Sequence, residues 1–218
     1  MHVIPVISTK GGEGKSTQAA NLAGFLADAG LKVLLIDGDY AQPTASSIFS
    51  LSYEAPKGLY ELLMQTADLN QPSSLISHSV ISGLDIIISN DPHAQLPTAM
   101  LHAPDGRLRL RNVLQHPLFQ SYDVIIVDSQ GARSIMLELI VLAATRTAVG
   151  VVKPVLPDVR EFIRGTINMM ENLLPFSALG LKLPEIRILI NCMKYTRLAR
   201  DTYQQLEEII NDKRKINP

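Results

Sequence analysis

The chain is poor in several residues on which whole classes of protein depend. Its 218 residues include one cysteine, Cys192, and no tryptophan, so an internal disulfide framework is excluded. A lone cysteine also fits a reducing compartment, and we expect a cytoplasmic protein. The 20 basic and 21 acidic side chains nearly cancel, so no bulk electrostatic field attracts nucleic acid or an anionic membrane. Any such partner has to use a local patch.

Long apolar runs are also missing. The longest candidate, "SIMLELIVLAA", contains Glu138 and is shorter than the roughly 18 residues of a membrane-spanning helix. The first residues lack the basic-then-apolar pattern of a signal peptide. We therefore expect no membrane partner.

What is present is the composition of an ordinary folded protein, with 46% hydrophobic and 19% charged residues. The length predicts a single domain over 1–218. Short β-branched runs alternate with helical stretches, which favours an α/β, doubly wound, mostly parallel sheet with helices on both faces. The Pro-containing segment 89–106 is predicted to be a loop-like insertion, and 175–184 a connector. Strands are predicted at 2–7, 32–37, 84–89, 122–128, 147–152 and 185–191, and helices at 16–29, 57–67, 107–116, 132–145, 158–173 and 198–212.

The segment "STKGGEGKST", residues 8–17, follows the first predicted strand. Glycines there let the backbone turn successive N–H groups toward an anion, and the following helix adds its positive N-terminal end. The pattern predicts a P-loop in which Lys15 reaches the β- and γ-phosphates of ATP and Ser16 binds Mg²⁺. Thr9 stands where the general motif has its first glycine. The residues expected to bind the nucleotide are Gly11, Gly12, Glu13, Gly14, Lys15, Ser16 and Thr17.

Carboxylates follow two other predicted strands. Asp37 and Asp39 end "KVLLIDGD", and Asp128 ends "YDVIIVD". Open α/β sheets bind ligands at the carboxyl ends of their strands, and phosphoryl transfer needs charge neutralisation near the metal and the attacking water. Each aspartate alone could equally be a helix cap or turn residue, but capping explains all three beside a P-loop poorly.

The stretch "KGGEGKST" resembles the deviant Walker A motif of the ParA/MinD family of ATPases, in the SIMIBI class of P-loop NTPases. The resemblance extends over nearly the full chain. It implies that Lys10 contacts phosphates across an ATP-sandwich homodimer, that Asp39 acts on the attacking water, and that Asp37 and Asp128 support Mg²⁺. Tyr40 stands where that family usually has proline, so the resemblance implies nothing for Gln42.

Two further features carry the resemblance. In the family an asparagine after a late strand, here Asn191, lies against adenine, and a proline-containing loop, here with Pro154, lies near the base. An asparagine after a strand is also a common turn former. The sequence "SQGAR" replaces the usual switch II, where Gly131 could turn its amide toward the γ-phosphate.

The likeness is greatest to compact ParA-type partition ATPases of plasmids and integrative elements. It implies an ATP-dependent dimer that binds DNA non-specifically, a nucleoid-associated location, and a ParB-type partner that stimulates hydrolysis. DNA binding needs basic groups, and "KYTRLAR" supplies Lys194, Arg197 and Arg200. A solvated helix face is the alternative reading of these charges. Further basic candidates are Lys213, Arg214 and Lys215 and, as a lesser patch, Arg107, Arg109 and Arg111.

Three other functions stay open at this point. A ParA-like factor of conjugative transfer or secretion would share every motif. MinD-type membrane positioning would need an amphipathic helix at the end of the chain, where "DKRKINP" offers only Ile216 as an apolar residue. A metabolic ligase on the same sheet would need acid–base residues, whereas the five histidines are scattered.

Overall fold

The computed structural model describes residues 1–91 and 93–211 and builds them around an eight-stranded sheet with strand order β3-β4-β5-β2-β6-β1-β7-β8. The strands are β1 (His2–Ile7), β2 (Val33–Ile36), β3 (Leu51–Tyr53), β4 (Ser77–Ser79), β5 (Leu84–Ile87), β6 (Val124–Asp128), β7 (Thr147–Val152) and β8 (Glu185–Ile190). The pairs from β5 through β8 are parallel. This confirms the predicted mostly parallel α/β sheet, with each of the six predicted strands present.

The remaining edge of the sheet was not predicted. Strands β3 and β4 pair antiparallel to each other, and β4 pairs antiparallel to β5. Each of the two has only three residues, which is too short for an alternating pattern to stand out in the sequence. Their pairing is a tertiary contact between distant segments.

Helices connect the strands on both faces of the sheet. They are α1 (Lys15–Asp28), α2 (Leu59–Leu63), α3 (Leu96–His102), α4 (Arg109–Val113), α5 (Pro117–Gln120), α6 (Ile135–Leu142), α7 (Leu156–Leu173) and α8 (Arg197–Asn211). Short 3₁₀ turns add to them at Ala45–Ser47, Pro72–Ser74, Gly106–Leu108 and Leu174–Leu179. Within the described ranges, no helix is both long enough and apolar enough to cross a bilayer.

The prediction of a loop-like insertion over 89–106 is wrong in part, because α3 lies inside it. The carboxylate of Asp91 accepts hydrogen bonds from the backbone N–H groups of Gln95 and Leu96 at 3.0 and 2.8 Å. Leu96 and Met100, four residues apart, are both buried. A capping aspartate and one buried helical face therefore hold a helix that proline and polar residues had masked.

Three predicted helices are shorter than the sequence pattern indicated, and one of them, expected at 132–145, is α6 (Ile135–Leu142). The helix expected at 57–67 is α2, which starts after Gly58 and is followed by Gln65 in the left-handed region at φ 58°. The helix expected at 107–116 is divided into a 3₁₀ turn and α4. Arg107 therefore lies in the 3₁₀ turn and Arg111 in α4.

The core lies on both sides of the sheet, as β6 illustrates. Ile125 and Val127 pack with α4 and α6 on one face, while Val124 and Ile126 pack with α1 on the other. Because helices cover both faces of the sheet at β6, neither face of this strand meets solvent, and all five of its residues are buried. The sheet is thereby fixed from both sides, which keeps the positions of its strand ends well defined.

Candidate functional site

The predicted phosphate loop connects β1 to α1 at the centre of the sheet. Gly14 directly precedes α1 and has a φ of +88°, a left-handed conformation that side chains other than glycine rarely adopt. The backbone N–H groups of Gly11, Gly12 and Gly14 donate to no protein acceptor within residues 1–91 and 93–211. Unpaired amides at the start of a helix form a cradle for an anion such as phosphate.

Thr9, which departs from the general motif, fits because the neighbouring helix has a glycine opposite it. A Cβ added to Gly165 of α7 would lie 2.4 Å from the Thr9 hydroxyl oxygen. Because Gly165 has no side chain, the Thr9 side chain can pack directly against α7 at that position. The departure is therefore a packing solution between the loop and α7.

Lys15 is the buried cation of the cradle, with 6% of its surface exposed. Burial lowers the pKa of its ammonium group, and the carboxylates of Asp128, Asp39 and Glu13 oppose that change. A buried ammonium group with several carboxylates around it suits the binding of a polyanion, because added phosphate charge favours its protonated form.

Asp128 is completely buried, and neither of its carboxylate oxygens has a hydrogen-bond partner among the described residues. Burial raises the pKa of Asp128 to about 7, although the nearby Ser16 hydroxyl opposes the rise. An unpaired buried carboxylate is unfavourable unless something neutralises it. The site therefore fits a cation held between Asp128 and Ser16.

The described chain has no cluster of three or more His, Cys, Asp or Glu side chains that could hold a metal alone. Magnesium commonly uses one or two carboxylates together with phosphate oxygens and water. The donor set here therefore fits Mg²⁺ that arrives with a nucleotide.

Asp37 and Asp39 lie at the end of β2 and hold the loop that follows. Asp37 is buried and accepts hydrogen bonds from the N–H and hydroxyl of Ser46 at 2.8 and 2.7 Å. Burial raises the pKa of Asp37, and its hydrogen bonds to Ser46 oppose this. Asp39 accepts from the N–H groups of Ala41 and Gln42 at 3.1 and 3.0 Å. Both aspartates are thus turn-forming residues here, and their contacts with metal and water stay predictions.

Gly131, in the segment that replaces the usual switch II, packs directly on the phosphate loop. A Cβ at Gly131 would lie 2.6 Å from the Gly11 Cα and 2.7 Å from the Lys10 carbonyl oxygen. The segment after β6 can approach the loop this closely only with glycine at 131. A movement of either segment must therefore displace the other.

Asn191 lies on the opposite flank of the loop, at the end of β8. Its side-chain Nδ2 donates to the Glu13 carbonyl oxygen at 2.8 Å, and its Oδ1 accepts from Gln18 at 3.1 Å and from the Cys192 N–H at 3.0 Å. The amide therefore ties β8 to the phosphate loop and to α1. One N–H of Nδ2 remains for a ligand, and its contact with adenine stays a prediction.

The buried residue Pro154 follows β7 on the same flank. Just before it, the Lys153 N–H donates to the Glu13 carboxylate at 2.7 Å. We call Asp37, Asp39 and Asp128, at the ends of β2 and β6, the carboxylate side of the loop. The amide side lies toward β7 and β8 and comprises Lys153 and Asn191, which follow those strands, together with Glu13 of the loop and Gln18 of α1, which bond to them.

Lys10 is the additional lysine that the general P-loop motif lacks. Its ammonium group forms an ion pair with Asp158 in the first turn of α7. The hydrogen bond to Asp158 raises the pKa of Lys10. Lys10 is 45% exposed, so the pair lies at the surface. Exposed pairs are worth little, so an arriving phosphate could displace Asp158 readily.

The predicted DNA-binding residues lie at the start of α8 and are all exposed. Arg197 is 93% exposed and lies 3.9 Å from the Asp201 carboxylate, a weak contact. Thr196 caps the helix by accepting the Ala199 N–H at 3.2 Å. Lys194 and Arg200 flank this cap. The three predicted side chains are thus available to a partner, while Lys213, Arg214 and Lys215 lie outside the described residues.

The lesser basic patch is used within the protein. Arg107 pairs with Glu138 at 2.7 Å, Arg109 binds Asp105 and the Leu63 carbonyl, and Arg111 donates to the Leu142 carbonyl at 3.3 Å. These contacts join α4 and its preceding turn to α2 and α6. The three side chains are therefore already engaged within the protein, and a DNA-binding role for them stays a prediction.

Sequence reasoning missed the side-chain roles of Glu13, Gln18 and Asp158. The acidic side chain in the middle of a phosphate loop was a usable signal, because such a charge repels phosphate unless it faces elsewhere. Gln18 and Asp158 offered no such signal, since polar residues are ordinary on exposed helix faces.

A protein-family model, AAA_31, described as an AAA domain, matches residues 1–157. The tyrosine-protein kinase CpsD of Streptococcus pneumoniae is 36% identical over 129 residues, which are 59% of this chain and 52% of CpsD. The chain thus spans about half the length of CpsD. An uncharacterized Pseudomonas putida protein is 30% identical over 94% of this chain and 76% of its own. The septum site-determining protein MinD of Thermotoga maritima is 28% identical over 88% of this chain and 65% of MinD.

Solved structures also resemble the chain. Apo McdA of Cyanothece has a TM-score of 0.81 and 23% identity, covering 96% of this chain and 81% of McdA. A plasmid partition protein of Borrelia burgdorferi has a TM-score of 0.76 and 24% identity, covering 94% and 85%. Cobyrinic acid a,c-diamide synthase of Mycobacterium smegmatis has a TM-score of 0.79 and 18% identity, covering 95% of this chain and 82% of the synthase. At these identities the likeness shows the fold alone, and the fold serves unrelated functions.

Proposed function

Because this chain belongs to the AAA_31 family and is a ParA/MinD-type P-loop ATPase, we propose that it binds ATP with Mg²⁺, pairs with a second copy and holds DNA. Hydrolysis then resets the dimer. DNA segregation, as in plasmid or mobile-element partition, is the process that this cycle serves best.

The observation that carries the nucleotide part is the buried carboxylate of Asp128, which has no partner among the described residues. It lies near Lys15 and Ser16, beside the loop whose Gly11, Gly12 and Gly14 N–H groups have no acceptor in the part of the chain that the structure describes. A triphosphate with Mg²⁺ satisfies all of these groups together, since the amides bind phosphate and the cation neutralises Asp128. Asp128 and Ser16 would hold the Mg²⁺, which would supply neutralisation of the charge on the phosphate oxygens.

The pairing of two copies is supported by the position of Lys10. Its ammonium group is near the phosphate cradle yet bound to Asp158 at the surface. In a pair of facing subunits, the same group can reach the partner's nucleotide instead. ATP then holds the dimer together, and loss of the γ-phosphate releases it.

The DNA part is supported by the exposure of Lys194, Arg197 and Arg200 at the start of α8. One copy offers few phosphate contacts, whereas a dimer doubles them. Because binding to DNA releases counterions at each contact, doubling the contacts makes affinity both stronger and steeper in its salt dependence.

The test is binding to plasmid DNA, followed by light scattering and gel shift, with ATP, ADP or no nucleotide. We expect the protein to bind DNA with ATP but not with ADP or without nucleotide. The double variant Lys194→Glu/Arg200→Glu reverses two charges and should weaken DNA binding about tenfold or more at moderate salt. Lys182→Glu reverses an exposed lysine elsewhere and serves as the matched control. Binding without nucleotide, or equal loss in the control, would contradict the proposal.

A ParB-type partner that stimulates hydrolysis belongs to the same proposal. The measurement is the steady-state ATPase rate with and without DNA and a purified ParB-type centromere-binding protein. We expect a slow basal rate that the two together increase. Cosedimentation with anionic liposomes should give no ATP-dependent binding, and a positive result would favour a MinD-type positioning role instead.

A second candidate is ATP-dependent phosphorylation of tyrosine, which the 36% identity to CpsD favours. Tyr195 is fully exposed and could accept phosphate. Incubation with radiolabelled ATP and analysis for phosphotyrosine distinguishes the candidates, because a partition ATPase releases the label as inorganic phosphate.

A further inference from the structure

We propose that the Glu13 side chain is a positioning residue that joins the phosphate loop to the segments that receive the nucleoside. It sets affinity for the nucleoside part of the ligand and does not contact phosphate. The inference rests on the proposed binding of ATP, which it makes more specific.

The first link is made by the Glu13 carboxylate. The residue is 2% exposed, and its Oε2 accepts the Lys153 N–H at 2.7 Å. Lys153 immediately follows β7, and the next residue, Pro154, has no N–H to donate. The carboxylate therefore holds the last backbone donor before the proline loop.

The second link is made by the main chain of the same residue. The Glu13 carbonyl oxygen accepts the Asn191 side-chain N–H at 2.8 Å. The Asn191 backbone N–H in turn donates to the Val152 carbonyl at 2.8 Å. Glu13 thus connects one point of the phosphate loop to the ends of both β7 and β8.

The order of the strands indicates which part of the ligand these segments meet. Strand β1, which leads into the loop, lies between β6 and β7. The aspartates of the carboxylate side all lie toward β6 and β2. A triphosphate whose γ-phosphate and Mg²⁺ face those groups extends its nucleoside toward β7 and β8, where Pro154 and Asn191 lie.

The charge of Glu13 is consistent with this geometry. A carboxylate accepts a stronger hydrogen bond than a neutral group does, which suits the fixing of a loop. Its charge would repel a phosphate, but it is directed at the Lys153 N–H. The same charge adds to the effect of Asp158, which raises the pKa of Lys10, and opposes the lowering of the pKa of Lys15 by burial. It therefore supports the cations that bind phosphate while its own oxygen faces the nucleoside side.

The test compares two magnesium-bound ligands, ATP and inorganic tripolyphosphate, by titration calorimetry. Tripolyphosphate has the phosphates without the nucleoside. We expect Glu13→Ala to lose about tenfold in affinity for ATP, the usual size of a lost buried bond to a charged group, and less than about twofold for tripolyphosphate. Glu13→Gln, whose amide oxygen can still accept the Lys153 N–H, should recover most of the loss.

Kinetics give an independent readout, in which the alanine variant raises KM for ATP while kcat changes less than about twofold. Equal loss for both ligands, or no loss for ATP, would overturn the inference. Should the alanine variant not fold, Glu13→Leu fills the space without an acceptor and replaces it. A wild-type protein that binds neither ligand would overturn the proposed function itself, and this inference with it.

Discussion

The two flanks of the phosphate loop are built from different chemistry. The carboxylate side brings three aspartates to the ends of β2 and β6, and one of them, Asp128, has no partner in the described chain. On the amide side, Glu13 and Asn191 have their acceptor groups engaged in hydrogen bonds. The carboxylate side therefore needs a cation to neutralise Asp128. The amide side is already held by hydrogen bonds within the protein, so its role is to position a ligand.

The largest effect is expected at Lys15, which both flanks share. Lys15→Ala removes the buried cation of the cradle, so we expect ATP affinity to fall at least about 100-fold, since charge-assisted hydrogen bonds are the strong ones. Calorimetric titration with MgATP measures it. Lys32→Ala, at an exposed lysine, should bind normally, and retained ATP binding in Lys15→Ala would show that the cradle is misassigned.

The next effect separates chemistry from binding on the carboxylate side. Asp39→Ala and Asp39→Asn should both keep ATP affinity and dimerisation, with turnover reduced about 100-fold or more, because loss of a positioned acid–base group has that size. Phosphate release and ligand titration are the two measurements.

The asparagine variant tests the alternative role of Asp39, since its amide oxygen can still accept the Ala41 and Gln42 N–H groups. Normal turnover in Asp39→Asn would show that the residue only forms a turn. Asp68→Asn is the matched control, because Asp68 makes a similar turn with Asn70 in a distant loop.

A smaller effect is expected where the carboxylate side touches the loop. Gly131→Ala places a methyl group within 2.7 Å of the Lys10 and Gly11 backbone, so the loop must shift, and we expect roughly tenfold weaker ATP binding from a displacement of this kind. Gly24→Ala, whose Cβ meets the Phe49 ring at 3.7 Å, is the control. Equal affinity in the two variants would mean that the loop yields freely.

The smallest effect is expected on the amide side. Asn191→Ala removes the side-chain bonds to Glu13, Gln18 and Cys192. These are neutral hydrogen bonds that position the site, so we expect several-fold weaker ATP binding with kcat nearly unchanged. Asn70→Ala, in an exposed turn, serves for comparison. A large fall in kcat with normal ATP binding would mean that Asn191 acts in hydrolysis. It would contradict the assignment of turnover to the carboxylate side and of binding to the amide side.

Much of the fold could be predicted because its strands are buried on both faces. Residues 3–7 of β1, all of β2 and residues 124–127 of β6 are continuously apolar, so these strands stand out in the sequence as parallel strands. Where burial is partial the pattern fades, as in the three-residue strands β3 and β4. Helix α3 was missed because its capping residue, Asp91, and its two buried side chains are few among polar neighbours.

The candidate site shows the same limit. The positions of the loop glycines, Lys15 and Asp128 could be predicted, because the glycines and Lys15 belong to the segment that leads from β1 into α1 and Asp128 ends β6. The partners of Glu13 and Lys10 could not, because Lys153 and Asp158 are more than 130 residues distant in the chain, with separations of 140 and 148.

The sequence by itself determined the alternation of strands and helices, the phosphate loop and the edge of the sheet at which the aspartates gather, because these follow from local pattern and chain direction. Only the tertiary structure decided that Arg107, Arg109 and Arg111 are used internally and that the loop has two unlike flanks. Those outcomes depend on strand order, which brings β6 to one side of β1 and β7 to the other. Strand order is set by packing between distant segments, which no local pattern records.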